Sequence, residues 1–169
     1  MDIKIVDNFM PEDIFLQYSK NIIEIPWKAT SVVSEGELGC ELSCNKLDNF
    51  MLVHSFYSNN VPTSELYYQF IEPLLSHIKI KSLIRSKINL NPRTEKIVQH
   101  GYHVDNEINN SFTSILYLNT NDGYTQFKES GDKIESVANR LVTFPTSYYH
   151  TGSTCTNQKY RMTLNFNYF

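Results

Sequence analysis

Tyr160-Arg161-Met162-Thr163-Leu164-Asn165-Phe166-Asn167-Tyr168-Phe169 alternates without a break. Tyr160, Met162, Leu164, Phe166 and Tyr168 form one face, and Arg161, Thr163, Asn165 and Asn167 form the other. A period of two is the signature of a strand. The simplest assignment of sides puts the apolar set in the core and the arginine in water. The alternative is a strand whose polar face points into a ligand-filled interior while its apolar face packs on a second layer. A mid-strand guanidinium then has a purpose, because its planar fork matches a carboxylate bidentately. A buried arginine without such a partner is costly. Thr163, on the same face, would donate to the same carboxylate. The two assignments make opposite predictions for the exposure of Arg161.

Upstream of this stretch the texture stays strand-like as far back as Leu83. Ser86 to Leu90 alternates polar and apolar residues. Ser111 to Leu118 is a longer strand signal, closed by the turn signal Asn119-Thr120-Asn121-Asp122-Gly123. Tyr124 to Phe127, Lys133 to Val137 and Arg140 to Phe144 read as further short strands. Many short strands at close spacing predict an antiparallel sandwich or barrel.

The first half reads differently. Pro11-Glu12-Asp13 opens a helix with an acidic first turn, followed by Ile14, Phe15, Tyr18 and Ile22 at helical spacing. A second helix starts near Pro62-Thr63-Ser64-Glu65, with Leu66, Phe70, Leu74, Leu75 and Ile78 on one face. Pro73 inside it predicts a kink or a split. Both stripes read as core-facing. Between them, Ser31 to Asn49 is polar, small and aperiodic, and reads as a lid, a binding loop, an irregular hairpin or a plain surface excursion. The expected architecture is a single domain over residues 1–169, mainly β with N-terminal helices (α+β). A helical layer and possible lid occupy about 1–82, and the β core about 83–169.

Composition narrows the function. Eleven Tyr and ten Phe suit strands and a wide pocket. A formal charge of −3 without any basic run makes nucleic acid an unexpected partner. No apolar stretch approaches membrane-spanning length, and Met1-Asp2-Ile3-Lys4-Ile5-Val6-Asp7 has no signal-peptide pattern, so a cytoplasmic protein is expected. Three cysteines, an odd number, fit a reducing compartment. Cys40 and Cys44 lack a second pair to complete a zinc site and read as free thiols, and Cys155 is given no role. The sequence does not specify an oligomeric state.

The chemistry lies in a scattered set. His103 and Asp105, in Gly101-Tyr102-His103-Val104-Asp105, are two apart, which on a strand points both to one face. His150, far downstream, would supply a third direction. Two imidazoles and one carboxylate are the ligand set of the facial triad of non-haem Fe(II) oxygenases. Arg161 would then anchor a dicarboxylate co-substrate. His54 and His77 stand alone in the helical half. His100 sits at an odd offset from His103, which on a strand sends it to the opposite face. It is therefore not expected on the metal, a reading that still leaves room for it near a substrate.

Together these residues resemble the 2-oxoglutarate- and Fe(II)-dependent oxygenase superfamily, in its prolyl-hydroxylase-like branch. Gly101-Tyr102-His103-Val104-Asp105-Asn106 resembles the His-x-Asp segment of that branch. Ile115-Leu116-Tyr117-Leu118-Asn119 resembles its Tyr-Leu-Asn strand, and Gly123-Tyr124-Thr125-Gln126-Phe127 the hairpin that follows. Arg140-Leu141-Val142-Thr143-Phe144, His150 and Arg161-Met162-Thr163 resemble its closing strands. The length and N-terminal texture are similar to small oxygenases encoded by bacteriophages. The resemblance implies a double-stranded β-helix, or jelly roll, with Fe(II) held by His103, Asp105 and His150. It implies 2-oxoglutarate held by Arg161, with Thr163 and Tyr117 as further donors, and O2 as the other co-substrate. The products would be succinate, CO2 and a hydroxylated substrate. Where the branch often has a co-substrate-touching tyrosine, this chain has Asn91, which would take that contact. The implied substrate is a prolyl or other residue of a protein or peptide, with Arg93 and Tyr102 on the substrate side. A free small molecule such as an amino acid is the second reading, and a non-catalytic cupin-like binding module the third. Nucleic-acid demethylases of the superfamily carry a second arginine six positions after the first; here that position is Asn167.

Overall fold

Residues 2–32, 50–106 and 108–169 are described by a computed structural model. Cys40, Cys44 and nearly all of the Ser31–Asn49 segment lie outside them. The elements run β1 (Lys4–Val6), α1 (Glu12–Ile22), β2 (Lys28–Ser31), β3 (Phe50–Ser58), β4 (Val61–Pro62), α2 (Leu66–Phe70) and α3 (Glu72–Ile78). Then follow β5 (Leu83–Pro92), β6 (Phe112–Tyr117), β7 (Tyr124–Phe127), β8 (Lys133–Glu135), β9 (Arg140–Pro145), β10 (His150–Gly152) and β11 (Tyr160–Tyr168).

Both helical signals are realised. Glu12 and Asp13 lie in the first turn of α1 and Lys20 in the last, the arrangement that complements the helix dipole. Pro73 splits the second signal. It occupies the first turn of α3, where a missing N–H costs nothing, and α2 ends just before it. Lys79 closes α3 in the left-handed region at φ 62°.

The same N-terminal part also contributes strands that periodicity did not predict. β1 pairs with β9, and β2 and β3 extend the sheet beyond β5. β3 carries a register shift between Ser55 and Tyr57. Such a bulge breaks the alternation by which a strand is recognised.

The main sheet has the order β1-β9-β6-β11-β5-β3-β2, with β4 added to β3. A second sheet has the order β10-β7-β8. Every strand pairing among the described residues is antiparallel. β11 is central in the main sheet, and each of its faces meets a different layer. Met162, Leu164, Phe166 and Tyr168 join Phe15, Ile22, Phe70 and Leu74 in the large core against the helices. Ile115, Tyr117, Phe127, Val142 and Phe144 form a smaller core shared between the two sheets. The helices thus take the apolar face of β11, and its polar face is left for the space between the sheets. No helix among the described residues is long and apolar enough to cross a membrane.

Candidate metal centre

Arg161 is 3% exposed, and Thr163, Asn165 and Asn167 are buried with it. The arginine therefore points inward, against the simplest reading of its strand. Burial pulls its pKa down, partly offset by Tyr117. Its Nε donates to Ser136 Oγ at 2.7 Å and Nη2 to Thr125 Oγ1 at 3.1 Å. The guanidinium carbon lies 5.4 Å from the centre of the Tyr117 ring, within cation–π range. No ion pair among the described residues includes it. Two glycines make room. A Cβ on Gly123 would stand 2.6 Å from Arg161 Cδ, and one on Gly152 would stand 3.2 Å from Nη1.

His103, Asp105 and His150 converge, each offering a ligand atom within 4.8 Å of the others. The two histidines pair through their backbones, His103 N to His150 O at 2.9 Å and His150 N to His103 O at 3.0 Å. Their rings lie 4.6 Å apart, and the Phe144 ring packs edge-on against His150 at 4.8 Å. His103 and Asp105 do not lie on a regular strand as expected. The segment is irregular, tied by isolated bridges from Gln99 to Ser153 and from His103 to His150. That irregularity removes the parity argument about His100. His100 lines the same cavity as His103, although the ligand cluster does not include it.

The neighbours fix the donor atoms. His103 Nδ1 bonds to Gly101 O at 3.2 Å and His150 Nδ1 to Tyr148 O at 3.0 Å. With Nδ1 protonated to donate to a carbonyl, each Nε2 keeps its lone pair for a cation. Burial first, and then His150, push His103 down to about 4, so the ring is neutral at neutral pH. Burial, then Arg161 and His103, push His100 down to about 3. Asp105 Oδ1 accepts from Arg85 Nη2 at 2.8 Å, and Oδ2 accepts from Thr113 Oγ1 at 2.9 Å and Asn167 Nδ2 at 3.0 Å. Burial alone would raise this carboxyl, but His150, Arg85 and His103 hold it well below the usual carboxylate range. Two imidazoles and one carboxylate form a set of hard-to-borderline donors suited to a divalent iron.

The cavity is lined by the three ligand residues and by Arg161, Thr163, Asn165, Asn91, Asn89, Lys87 and Thr125, among others. Asn91 stands beside Arg161 in the β5–β11 register, and its amide contacts His100 Nε2 at 3.2 Å. Tyr117 is fully buried behind the arginine and donates to Thr125. Arg93 and Tyr102 are not among the cavity-lining residues, and Arg93 Nε is engaged with Thr156 O at 2.6 Å. Cys155 is buried, with its thiol pushed up chiefly by burial.

Sequence reading had given no role to Arg85, Lys87, Asn89, Thr125, Ser136, Asn165 or Asn167. Five of these were visible in principle. Arg85, Lys87, Asn89 and Asn91 alternate on β5 opposite Asn167, Asn165, Thr163 and Arg161 of β11. Once the side of Arg161 is known, the sides of the others follow.

No family model matches the chain, and no curated protein matches it. Solved structures do. An oxidoreductase of the 2OG-Fe(II) oxygenase family from Burkholderia pseudomallei superposes with TM-score 0.71 at 11% identity, over 98% of this chain and 84% of that one. A prolyl-4-hydroxylase from Pseudomonas putida gives 0.62 at 15% identity, over 98% and 91%. The viral collagen prolyl hydroxylase of Paramecium Bursaria Chlorella virus-1, solved as its 2OG complex, gives 0.59 at 15% identity, over 99% and 95%. At these identities the likeness establishes the fold: the chain is built on the jelly-roll architecture of the 2-oxoglutarate–Fe(II) oxygenases.

Proposed function

We propose that this protein is an Fe(II)- and 2-oxoglutarate-dependent dioxygenase that hydroxylates an unactivated C–H bond. The observation that carries this reading is the meeting, in one cavity, of a His-Asp-His donor set with a buried arginine. That arginine has no ion-pair partner among the described residues. His103, Asp105 and His150 would hold the iron. Arg161 would take the far carboxylate of 2-oxoglutarate, with Thr163 beside it and Tyr117 behind it. Asn91 would lie along the co-substrate. Ferrous iron with 2-oxoglutarate and O2, when bound, supplies the oxidation of the C–H bond to C–OH, and 2-oxoglutarate becomes succinate and CO2.

The chain's own part is positional. The carbonyls of Gly101 and Tyr148 fix the tautomers of the two histidines. Arg85, Thr113 and Asn167 hold the Asp105 carboxylate and keep it ionised. Ser136 and Thr125 aim the guanidinium. Such preorganised support is what lets a binding site favour one geometry of its ligands.

The likeness to two prolyl hydroxylases supports a residue of a protein or peptide as substrate. A free small molecule is favoured by the cavity itself, which has a second cation, Lys87, in its wall. The test is aerobic conversion of 2-oxoglutarate to succinate with added Fe(II), screened against peptides and metabolites. Iron-dependent succinate formation is expected even without substrate. Iron bound with no succinate formed would make the protein a binding module instead.

A further inference from the structure

β5 presents Arg85, Lys87, Asn89 and Asn91 to the interior, facing Asn167, Asn165, Thr163 and Arg161 of β11. The charges along this double row are unequal. Arg85 is matched by Asp105 at 2.8 Å, and Arg161 is matched by co-substrate in the function proposed above. Lys87 remains. It lines the cavity, yet no ion pair or hydrogen bond among the described residues includes it. Burial and Arg85 lower its pKa, and Asp105 partly restores it. A lysine that shares a cavity with a divalent cation and a guanidinium is electrostatically unfavourable unless an anion enters with it.

The neighbours of Lys87 define the rest of that ligand. Asn165, directly paired with Lys87, and Asn89, one step along the same face, each bury an amide oxygen with no donor among the described residues. Both line the cavity. Buried acceptors left unpaired are costly, and two of them on residues of one cavity wall call for N–H or O–H groups on whatever fills it. An internal prolyl residue offers neither a negative charge nor a backbone N–H. A free amino or hydroxy acid offers both a carboxylate and an adjacent donor.

We propose that Lys87, Asn165 and Asn89 form the substrate-reading wall of this cavity, and that the substrate is a small carboxylic acid bearing an amino or hydroxyl group next to the acid. Lys87 pairs with the carboxylate, and the two amides accept from the amino or hydroxyl group. This places the acid end against β5 and β11 and leaves the remainder of the molecule to face the iron. The proposal rests on the reaction assigned above. The same carboxylate chemistry has a second possible source, the metal-proximal carboxylate of 2-oxoglutarate, and the test separates the two.

The experiment measures succinate formation with Fe(II) and 2-oxoglutarate. The probes are the free L-amino acids and the corresponding 2-hydroxy acids, each beside its carboxamide, with wild type, Lys87→Met and Lys87→Arg. At least one acid is expected to stimulate turnover tenfold or more over its carboxamide. In Lys87→Met, which keeps the apolar stem, the half-saturating concentration of that acid is expected to rise at least ten times more than that of 2-oxoglutarate. Lys87→Arg should recover part of the loss. Equal response to acid and amide, or stimulation by no acid, would overturn the proposal. A rise confined to 2-oxoglutarate would also overturn it, by giving the lysine to the co-substrate. Absence of any succinate from the wild type would instead refute the reaction class, so the two failures are distinct.

Discussion

Gly123→Ala tests how the arginine is held. The added methyl would stand 2.6 Å from Arg161 Cδ, 2.7 Å from Thr154 O and 2.8 Å from Asn121 Oδ1, all far inside van der Waals contact. Two routes of relief are closed. Thr154 O is backbone, and the arginine is pinned beyond Cδ by Ser136 at 2.7 Å and Thr125 at 3.1 Å. Overpacking of this kind costs about 1–3 kcal/mol. Loss of a glycine from the unfolded chain returns about 0.4–1 kcal/mol, so the net effect is a destabilisation on the order of 1–2 kcal/mol. For a domain of this size that lowers Tm by roughly 2–8 °C. The arginine must also move by about 1 Å, and misplacement on that scale is worth up to about a hundredfold in a positioned contact. The assay pairs thermal unfolding of the metal-free protein with the 2-oxoglutarate concentration that half-saturates succinate formation. Gly131→Ala is the control: its φ of +75° strains an alanine by about 1 kcal/mol, but nothing stands within 4 Å of the new methyl. Stability should fall in both variants, and the 2-oxoglutarate requirement should rise only in Gly123→Ala. An unchanged requirement in Gly123→Ala would refute the view that this glycine seats the guanidinium.

Other substitutions separate the parts of the site. His150→Ala should abolish iron-dependent turnover and iron binding by calorimetry, whereas Arg161→Ala should retain iron and raise the 2-oxoglutarate requirement; equal loss of iron in both would contradict that division. Asn167→Ala removes a neutral donor from Asp105 Oδ2 and should weaken iron about tenfold or more, read by competition with a chelator. Acid should destabilise the metal-free fold between pH 6.5 and about 4. There the unfolded histidines take up protons that buried His103, at about 4, and His100, at about 3, refuse. Each folded pKa lies below its unfolded value, so the stability is present above pH 6.5 and lost as pH falls, by up to about 1.4 kcal/mol per pH unit for each group. Urea midpoints in His100→Gln should show a shallower loss than wild type.

The sequence was legible where local physics and tertiary context agreed. β7 and β11 fall where alternation put them, and Pro73 divides a helix as its missing N–H requires. It was ambiguous at Arg161, because alternation tells which residues share a face and not which face is inside. Both faces of β11 are buried, one by helices and one by the cavity. It was silent on β3, whose bulge at Ser55–Tyr57 breaks the period, and on β1, too short at three residues to show one. His100 stands outside the ligand cluster, as expected, but strand parity is not the reason, because its segment is held only by isolated bridges. Asn165 and Lys87 looked like ordinary polar strand residues until the side of their neighbours was known.

The most direct test of the central claim is an anaerobic titration of the protein with Fe(II) and then 2-oxoglutarate, followed by visible absorption. A weak charge-transfer band should appear when both are present, be lost in His150→Ala, and require more 2-oxoglutarate in Arg161→Ala. Iron that binds without giving the band, or a band that survives removal of His150, would contradict the assignment of this cavity as an iron and 2-oxoglutarate site.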